Sequence, residues 1–391
     1  MINKKKNILV IYLGSRGGGV LDTYNICKHL FKIDDHNYSL LISESNQKLK
    51  SFEDSFQKRL FVVKTYKHSK IDFVIRTVSF IRIMSIIQIL RNLKPEIVIF
   101  IMLHPWLVFI LTYLKIFMKN SRTIYIKHNP SIFENLPSKI INAFLNVCDR
   151  FLTCKSDYIF TLSESVKQET LVTYNLPLEK VFSFNFGAHR FVCNGWKHKG
   201  FYKNGILRLL FFGNILEYKG IDILVDSYEI MKKENLPVQL VIAGDGPINK
   251  VLKMKADKLG IKLLNYWISD EELCGLLSET DIIILPYKKA SQSGPASIAT
   301  SLGIPVIASR VGGLTEQVID GVNGFLIEPC AQDIVNAVKK ILLNPSLLDN
   351  LSKGAKLLSE TKFSWENIAK KMNKVLNEII IKDNFAESKK T

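Results

Sequence analysis

LRLLFFGNILEYKGIDILVDSY, residues 207–228, decides the fold. Its first six residues form a short, mostly apolar run, the mark of a strand covered on both faces in a parallel sheet. Gly213 ends the run and Lys219-Gly220 closes a turn. Ile221, Leu224, Val225 and Tyr228 then recur at helical spacing, so an amphipathic helix follows. The unit restarts a pattern opened by NILVIYL at 7–13 and the glycine-rich GSRGGG behind it. Between the two starts, apolar runs at 38–43, 96–102, 123–128, 158–163 and 181–187 alternate with helical patterns. After the restart they recur at 237–244, 262–267, 281–286, 305–309 and 324–329. This alternation predicts an α/β protein with two doubly wound, Rossmann-like parallel sheets and helices on both faces. The expected borders are 1–190, 206–365 and a last helix and tail at 366–391. FVCNGWKHKGFYKNG at 191–205, polar and carrying three glycines, reads as the linker.

With 391 residues and 47% apolar composition, the chain can bury large cores in two domains. Cys27, Cys148, Cys154, Cys193, Cys274 and Cys330 are scattered, form no CxxC pair and meet no histidine cluster, so reduced thiols are expected. The basic start MINKKKNILVIYLG lacks a cleavage site and reads as a strand, not a signal peptide. The net charge of +17 is uneven: residues 1–200 hold 29 Lys/Arg against 14 Asp/Glu, and the rest hold 24 against 22. An anionic membrane face is the favoured partner of the basic half, and a merely solvated basic surface fits the composition equally. Nucleic acid is not expected, because no zinc-finger spacing and no RNP-type aromatic motif occurs. Ile97 to Leu114 has no charge, but His104-Pro105 interrupts it, so a buried βα unit is expected there and not a membrane span. Phe73 to Lys94 lacks acids and interleaves Arg76, Arg82, Arg91 and Lys94 with apolar residues. An interfacial helix and a core-packed helix with solvated arginines both fit that pattern.

ASQSGPASIATSLGIPVIASRVGG, residues 290–313, contains no carboxylate, and none occurs between Asp281 and Glu316. PASIATSLG reads as a short helix with Pro295 in its first turn. Small side chains at Ser291, Ser293 and Gly294 leave first-turn amides uncovered, and with the positive helix end they make an anion site. Acids here would compete with a bound phosphate. Close packing on the sheet is the plainer reason for such small residues. Lys219 sits where a cation could reach the carboxyl ends of the strands, the ligand crevice of open α/β sheets, and by itself it equally reads as a plain surface lysine. Gly17 to Gly19 allow close backbone approach to a phosphate or sugar.

FFGNILEYKGIDILVDSY, LVIAGDGP, ISDEELCGLLSETDIIILPY, QSGPASIATSLGIPVIASRVGGLTEQVIDGVNGFLIEP and FSWENIAKKM, in that order, resemble glycosyltransferase family 4, the retaining GT-B group. The likeness covers most of residues 207–372. The first half resembles the group more loosely, through GSRGGG, IKHNP and FTLSESVKQET. The resemblance implies a GT-B fold: an acceptor-binding first domain, a nucleotide-sugar-binding second domain, a cleft between them and a last helix crossing back. It places Lys219 at the donor diphosphate and Gly244 and Gly246 in the GDGP turn. Trp267 and Ile268 fall where the base is cradled, and His128 and Gly17, Gly18 and Gly19 near the reacting sugar and donor. Glu316 takes an acid position near the end of the site. The family's usual pair of glutamates with seven residues between them is replaced by Ala290 and Ile298, and an arginine of the first turn by Asn214. Gln292-Ser293-Gly294 looks like a QSG variant of that loop.

The expected activity is metal-independent retaining transfer from a nucleotide-sugar co-substrate, with no separate cofactor. The acceptor is a glycan or lipid-linked molecule, as in bacterial surface polysaccharide synthesis. The protein is expected to be cytoplasmic and peripheral at the inner membrane face. A helix N-terminus and one lysine stabilise the departing diphosphate without a metal, and no Asp-x-Asp pair occurs. The missing glutamates favour a second reading, a non-catalytic partner or scaffold in glycan assembly. A dinucleotide-dependent oxidoreductase is a third, from Gly17-x-Gly19 and Glu44, but Asp22 stands where that fingerprint wants Gly or Ala.

Overall fold

The computed structural model describes residues 5–65, 80–130, 139–189 and 197–388. The chain forms two units: Met1–Phe184 together with Trp365–Thr391, and Asn185–Ser364. In unit 1 the strands are β1 (Asn7–Tyr12), β2 (Asn37–Ser43), β3 (Leu60–Val63), β4 (Ile97–Phe100), β5 (Arg122–Lys127), β6 (Tyr158–Thr161) and β7 (Val181–Ser183). Among the described residues they form one parallel sheet in the order β3-β2-β1-β4-β5-β6-β7. Unit 2 holds β8 (Leu207–Phe212), β9 (Val238–Ala243), β10 (Lys262–Leu264), β11 (Ile282–Leu285), β12 (Val306–Ser309) and β13 (Gly324–Ile327). They too are parallel, in the order β10-β9-β8-β11-β12-β13.

The two starts read from the sequence are therefore the central strands. β1 is buried from Ile8 to Tyr12 and is flanked by β2 and β4. β8 is flanked by β9 and β11. In each sheet the strand order reverses beside that first strand, so the loops after the neighbouring pair diverge and leave a crevice. β3 is the strand the apolar pattern misses. LFVV is four residues long, lies at the sheet edge and is buried only at Val63.

Ile97 to Leu114 splits into β4 and the helix Trp106–Phe117, as expected. Among the described residues no helix is long and apolar enough to cross a membrane. Of the helix expected over 73–94, residues 73–79, Arg76 included, lie outside the described residues; Phe80–Leu93 is helical. Its Ile83, Ile86, Ile87 and Leu90 are buried. Arg82 donates to the Thr65 carbonyl and Arg91 donates to Tyr113 Oη at 2.9 Å, so both arginines are bonded to the protein.

The last helix, Trp365–Ser388, belongs to unit 1 and packs on the helix Gly18–Ile33. Met372, Leu376 and Ile379 are buried. Asn373 donates to Asp35 at 2.6 Å and accepts from Tyr38 Oη at 3.1 Å. In unit 2, Ala188 N–H donates to Phe363 O at 2.8 Å and Ser297 Oγ donates to Gly187 O at 2.7 Å. The chain ahead of the expected linker is thereby held on unit 2. Residues 191–196 of that linker lie outside the described residues; its remainder runs along unit 2 through His198 on Thr280 O at 2.8 Å and Lys199 N–H on Ser278 O at 2.9 Å. The expectation of reduced thiols is corrected at Cys274, which is disulfide-bonded, while Cys27, Cys148, Cys154 and Cys330 are free.

Candidate functional site

In unit 2 the loops that leave β8, β9, β11 and β12 are tied to one another. Ile215 N–H donates to Asp245 O at 2.8 Å, Lys288 N–H to Tyr218 O at 2.8 Å, and Gly313 N–H to Ala290 O at 3.0 Å. Gly220 has φ 68°, and a Cβ there would lie 1.9 Å from Pro286 O. Gly244, at φ 150°, would set a Cβ 1.9 Å from Gly213 O. Only glycine permits these approaches, so both glycines are needed to bring the loops together. Asn265, with its amide nitrogen turned to the Gly244 to Gly246 turn, donates to the carbonyls of both glycines at 3.1 Å.

Lys219 lies in this cluster. Its ammonium sits 3.7 Å from the Tyr287 ring centroid and 4.9 Å from that of Tyr218, and the two rings meet edge to face. Among the described residues it pairs with no carboxylate. Burial lowers its pKa, with Tyr218 opposing. Burial thus works against the charged form while the π faces of Tyr287 and Tyr218 favour it, and an anion beside the ammonium would favour it further.

The same Tyr287 reaches the acid-free loop. Its Oη is 3.4 Å from Ser293 Oγ, the cap of the helix Gly294–Leu302. Ser293 corrects one expectation. Its side chain does not leave the first turn open; the hydroxyl accepts from Ala296 N–H at 3.3 Å, and the residue is 1% exposed. Gln317 holds the cap, with Oε1 accepting from Ser293 N–H at 2.7 Å and Nε2 donating to Ser293 O at 3.0 Å. Gly294 and Pro295 remain half-buried, and Pro295 lies beside Gly213. Gln292 Nε2 is buried with no hydrogen-bond partner among the described residues. Lys219, Gln292 and the start of this helix thus form one donor-rich corner.

Asn214 is exposed in the turn after β8. Trp267 is 68% exposed after the edge strand β10, and Ile268 beside it is half-buried. Ala290 is half-buried, and Ile298 lies in the core. Glu316 is half-buried in the turn Leu314–Gln317, where its carbonyl accepts from Lys362 Nζ at 3.4 Å. Its neighbour Gln317 is bonded to the loop at Ser293. Tyr287, Gln317 and Asn265 escape sequence reading, since a tyrosine after a strand and single amides carry no spacing signal.

In unit 1, Gly17 (φ 87°) starts the helix Gly18–Ile33, and Gly17 and Gly18 are exposed. Gly19 is buried against Met102 and Tyr12. His128 follows β5. Its Nε2 is 2.9 Å from Ile101 O, so that nitrogen carries a proton, and its Nδ1 is 3.7 Å from Asp22 Oδ2. The residue that spoils the dinucleotide fingerprint thus faces the histidine. Unit 1 brings Gly17 to Gly19 and His128 to one end of its sheet, and unit 2 does the same for its own candidates. Among the described residues no three His, Cys, Asp or Glu side chains gather as a metal group.

His104, between β4 and the helix Trp106–Phe117, is 4% exposed; its Nδ1 accepts from Trp106 N–H at 3.2 Å. Burial lowers its pKa from 6.5 to about 3. The unfolded chain takes up this proton near pH 6.5 and the folded chain does not until about pH 3. Its stabilising contribution is therefore complete above that upper value and lost as pH falls through the window, by up to about 1.4 kcal/mol per pH unit. Urea midpoints across the window should fall less steeply for His104→Asn than for the wild type.

Residues 197–358 match the family model for glycosyl transferases group 1. An uncharacterized glycosyltransferase of Methanocaldococcus jannaschii is 29% identical over 232 residues, 56% of this chain and 59% of that one. The chain thus spans about three fifths of the length of the first curated relatives it matches. The chitobiosyldiphosphodolichol beta-mannosyltransferase of Debaryomyces hansenii is 26% identical over 315 residues, 69% of this chain and 65% of its own. Among solved structures, HepE of Anabaena in complex with UDP superposes with a TM-score of 0.70 at 16% identity, covering 95% of this chain and 100% of that one. The fold is GT-B.

Proposed function

We propose that the chain is a retaining glycosyltransferase that moves a sugar from a nucleoside-diphosphate sugar to a glycan or lipid-linked acceptor. Unit 2 binds the donor and unit 1 the acceptor. The observation that carries this reading is the donor-rich corner: the Lys219 ammonium without a carboxylate, joined through Tyr287 to a helix start in a stretch without acids. As the sugar–phosphate bond breaks, charge builds on the leaving diphosphate, and fixed donors stabilise it without reorganising. No metal is invoked for that step. Gln292 Nε2 supplies one further donor, and Asn214 stands where the group's arginine would be. Gly244 and Gly246 shape the turn, and Trp267 and Ile268 face the base. His128, oriented by Asp22, and Gly17 to Gly19 act on the reacting sugar. A lipid-linked acceptor would be met at the inner leaflet, where the basic first half is attracted. A role in surface polysaccharide assembly belongs to the same reading.

The test is a panel of nucleotide sugars, UDP-glucose first because structures of HepE hold UDP and UDP-glucose. Release of free nucleoside diphosphate from one member of the panel is the expected result. Tight binding without release across the panel would convert the reading to a scaffold, and no binding at all would end it.

A further inference from the structure

We infer that the outer face of three neighbouring helices of unit 1, Phe80–Leu93, Trp106–Phe117 and Lys139–Lys155, docks on an anionic lipid bilayer. Trp106–Phe117 packs between the other two. Phe80–Leu93 and Trp106–Phe117 bury apolar residues inward; outward, Trp106–Phe117 and Lys139–Lys155 expose apolar residues as well, while Phe80–Leu93 presents Met84 among Ser85, Gln88 and Arg91. Phe109 is 53% exposed, Ile116 54%, Phe117 70%, Ile140 83% and Val147 67%. Their spacing follows the helix period: Phe109 to Ile116 and Ile140 to Val147 are two turns apart, with Phe144 between the latter pair. Scattered single hydrophobics need no explanation, but this set spans adjacent helices.

The charges around it, among the described residues, are mostly positive, and the acids are paired. Arg91, Lys94 and Lys119 rim a hollow of about 570 Å³ floored by Pro95, Tyr113 and Ser121. Glu96, the hollow's acid, is occupied by Lys6 Nζ at 2.8 Å and Asn7 N–H at 3.0 Å. Arg150 is exposed on the third helix. Among the described residues the three helices hold a single acid, Asp149, whose side chain is 1% exposed and bonded to Lys127, Tyr125 and Tyr174. Asp157, which follows the third helix, is bonded to Lys115 at 2.6 Å. Exposed aromatic and aliphatic groups among cations, with the one carboxylate of the described helices buried and bonded, match a headgroup layer over acyl chains. A second copy meeting the same face would set cation against cation.

The inference deepens the membrane side of the proposed function and is independent of sugar transfer. The full chain is sedimented with phosphatidylcholine vesicles, with and without phosphatidylglycerol. Binding to the anionic vesicles alone is expected. Arg91→Glu with Lys119→Glu, and separately Phe117→Ser with Ile140→Asp, should each weaken it at least about tenfold. Binding indifferent to lipid charge, no binding, or binding unmoved by both pairs would overturn the idea. A concentration-dependent dimer dispersed by the same variants would overturn it in favour of a second copy. Lys119→Glu alone, at an exposed position, keeps the test open should a pair fail to fold. Nucleotide-sugar binding in the absence of vesicles should be unchanged in every variant. If that binding is absent in the wild type too, the donor reading has failed and the docking face has not.

Discussion

Lys219→Ala is expected to lower kcat about 100- to 1,000-fold, the loss seen when one fixed donor to a developing anion is removed. Lys219 has no carboxylate partner to be freed, and its ammonium rests on Tyr287 and Tyr218. Removing it therefore subtracts charge from the corner and leaves no buried ion stranded. Lys288→Ala is the control: that neighbouring lysine is paired with Asp222 at 2.8 Å and is expected to matter little. Burial lowers the Lys219 pKa, whereas a bound diphosphate favours the charged form. Donor binding should then take up protons, and affinity should fall as pH rises through the depressed pKa. Calorimetry in buffers of different ionisation enthalpy reads the uptake. Equal turnover in wild type and Lys219→Ala would remove the site.

The second large effect is on stability. Lys127 and Asp149 form an ion pair whose side chains are each 1% exposed. Tyr125 and Tyr174 donate to the same carboxylate at 2.8 and 2.9 Å. Burial pulls the Lys127 pKa down against the pull of Asp149. Breaking such a pair from one side is the costly move, because the other charge stays buried. Lys127→Ala should cost unit 1 about 3–5 kcal/mol. Lys127→Met with Asp149→Leu, which removes both charges, should recover a large part. Hydrogen exchange at the β5 amides across a urea series measures both, and equal losses in the two variants would contradict the account.

The sheets were legible because parallel strands covered on both faces are nearly continuous apolar runs, and a helix-length spacer separates each from the next. β3 was not, because an edge strand buried only at Val63 needs no such run. Lys219 stands out because it follows the carboxyl end of a central strand within a stretch that resembles the family; by itself it reads as a plain surface lysine. What holds it could not: Tyr287 comes from another loop, and the bond from Ser293 to Gln317 spans residues with no periodic relation. The acid-free loop was read as open amides, but the Ser293 hydroxyl closes one of them. Composition shows which groups could bind and not which are already occupied. The thiols failed for the same reason, since isolated cysteines give no hint that Cys274 is bonded.

The helix Trp365–Ser388 imposes an order on synthesis. A ribosome releases every residue of unit 2 before it releases the segment that covers the Gly18–Ile33 helix. The unit made first is therefore finished after the one made second, and a nascent protein carries an uncovered apolar flank until the helix Trp365–Ser388 has emerged. Chaperone capture of stalled chains should map to that flank and disappear once that helix has emerged.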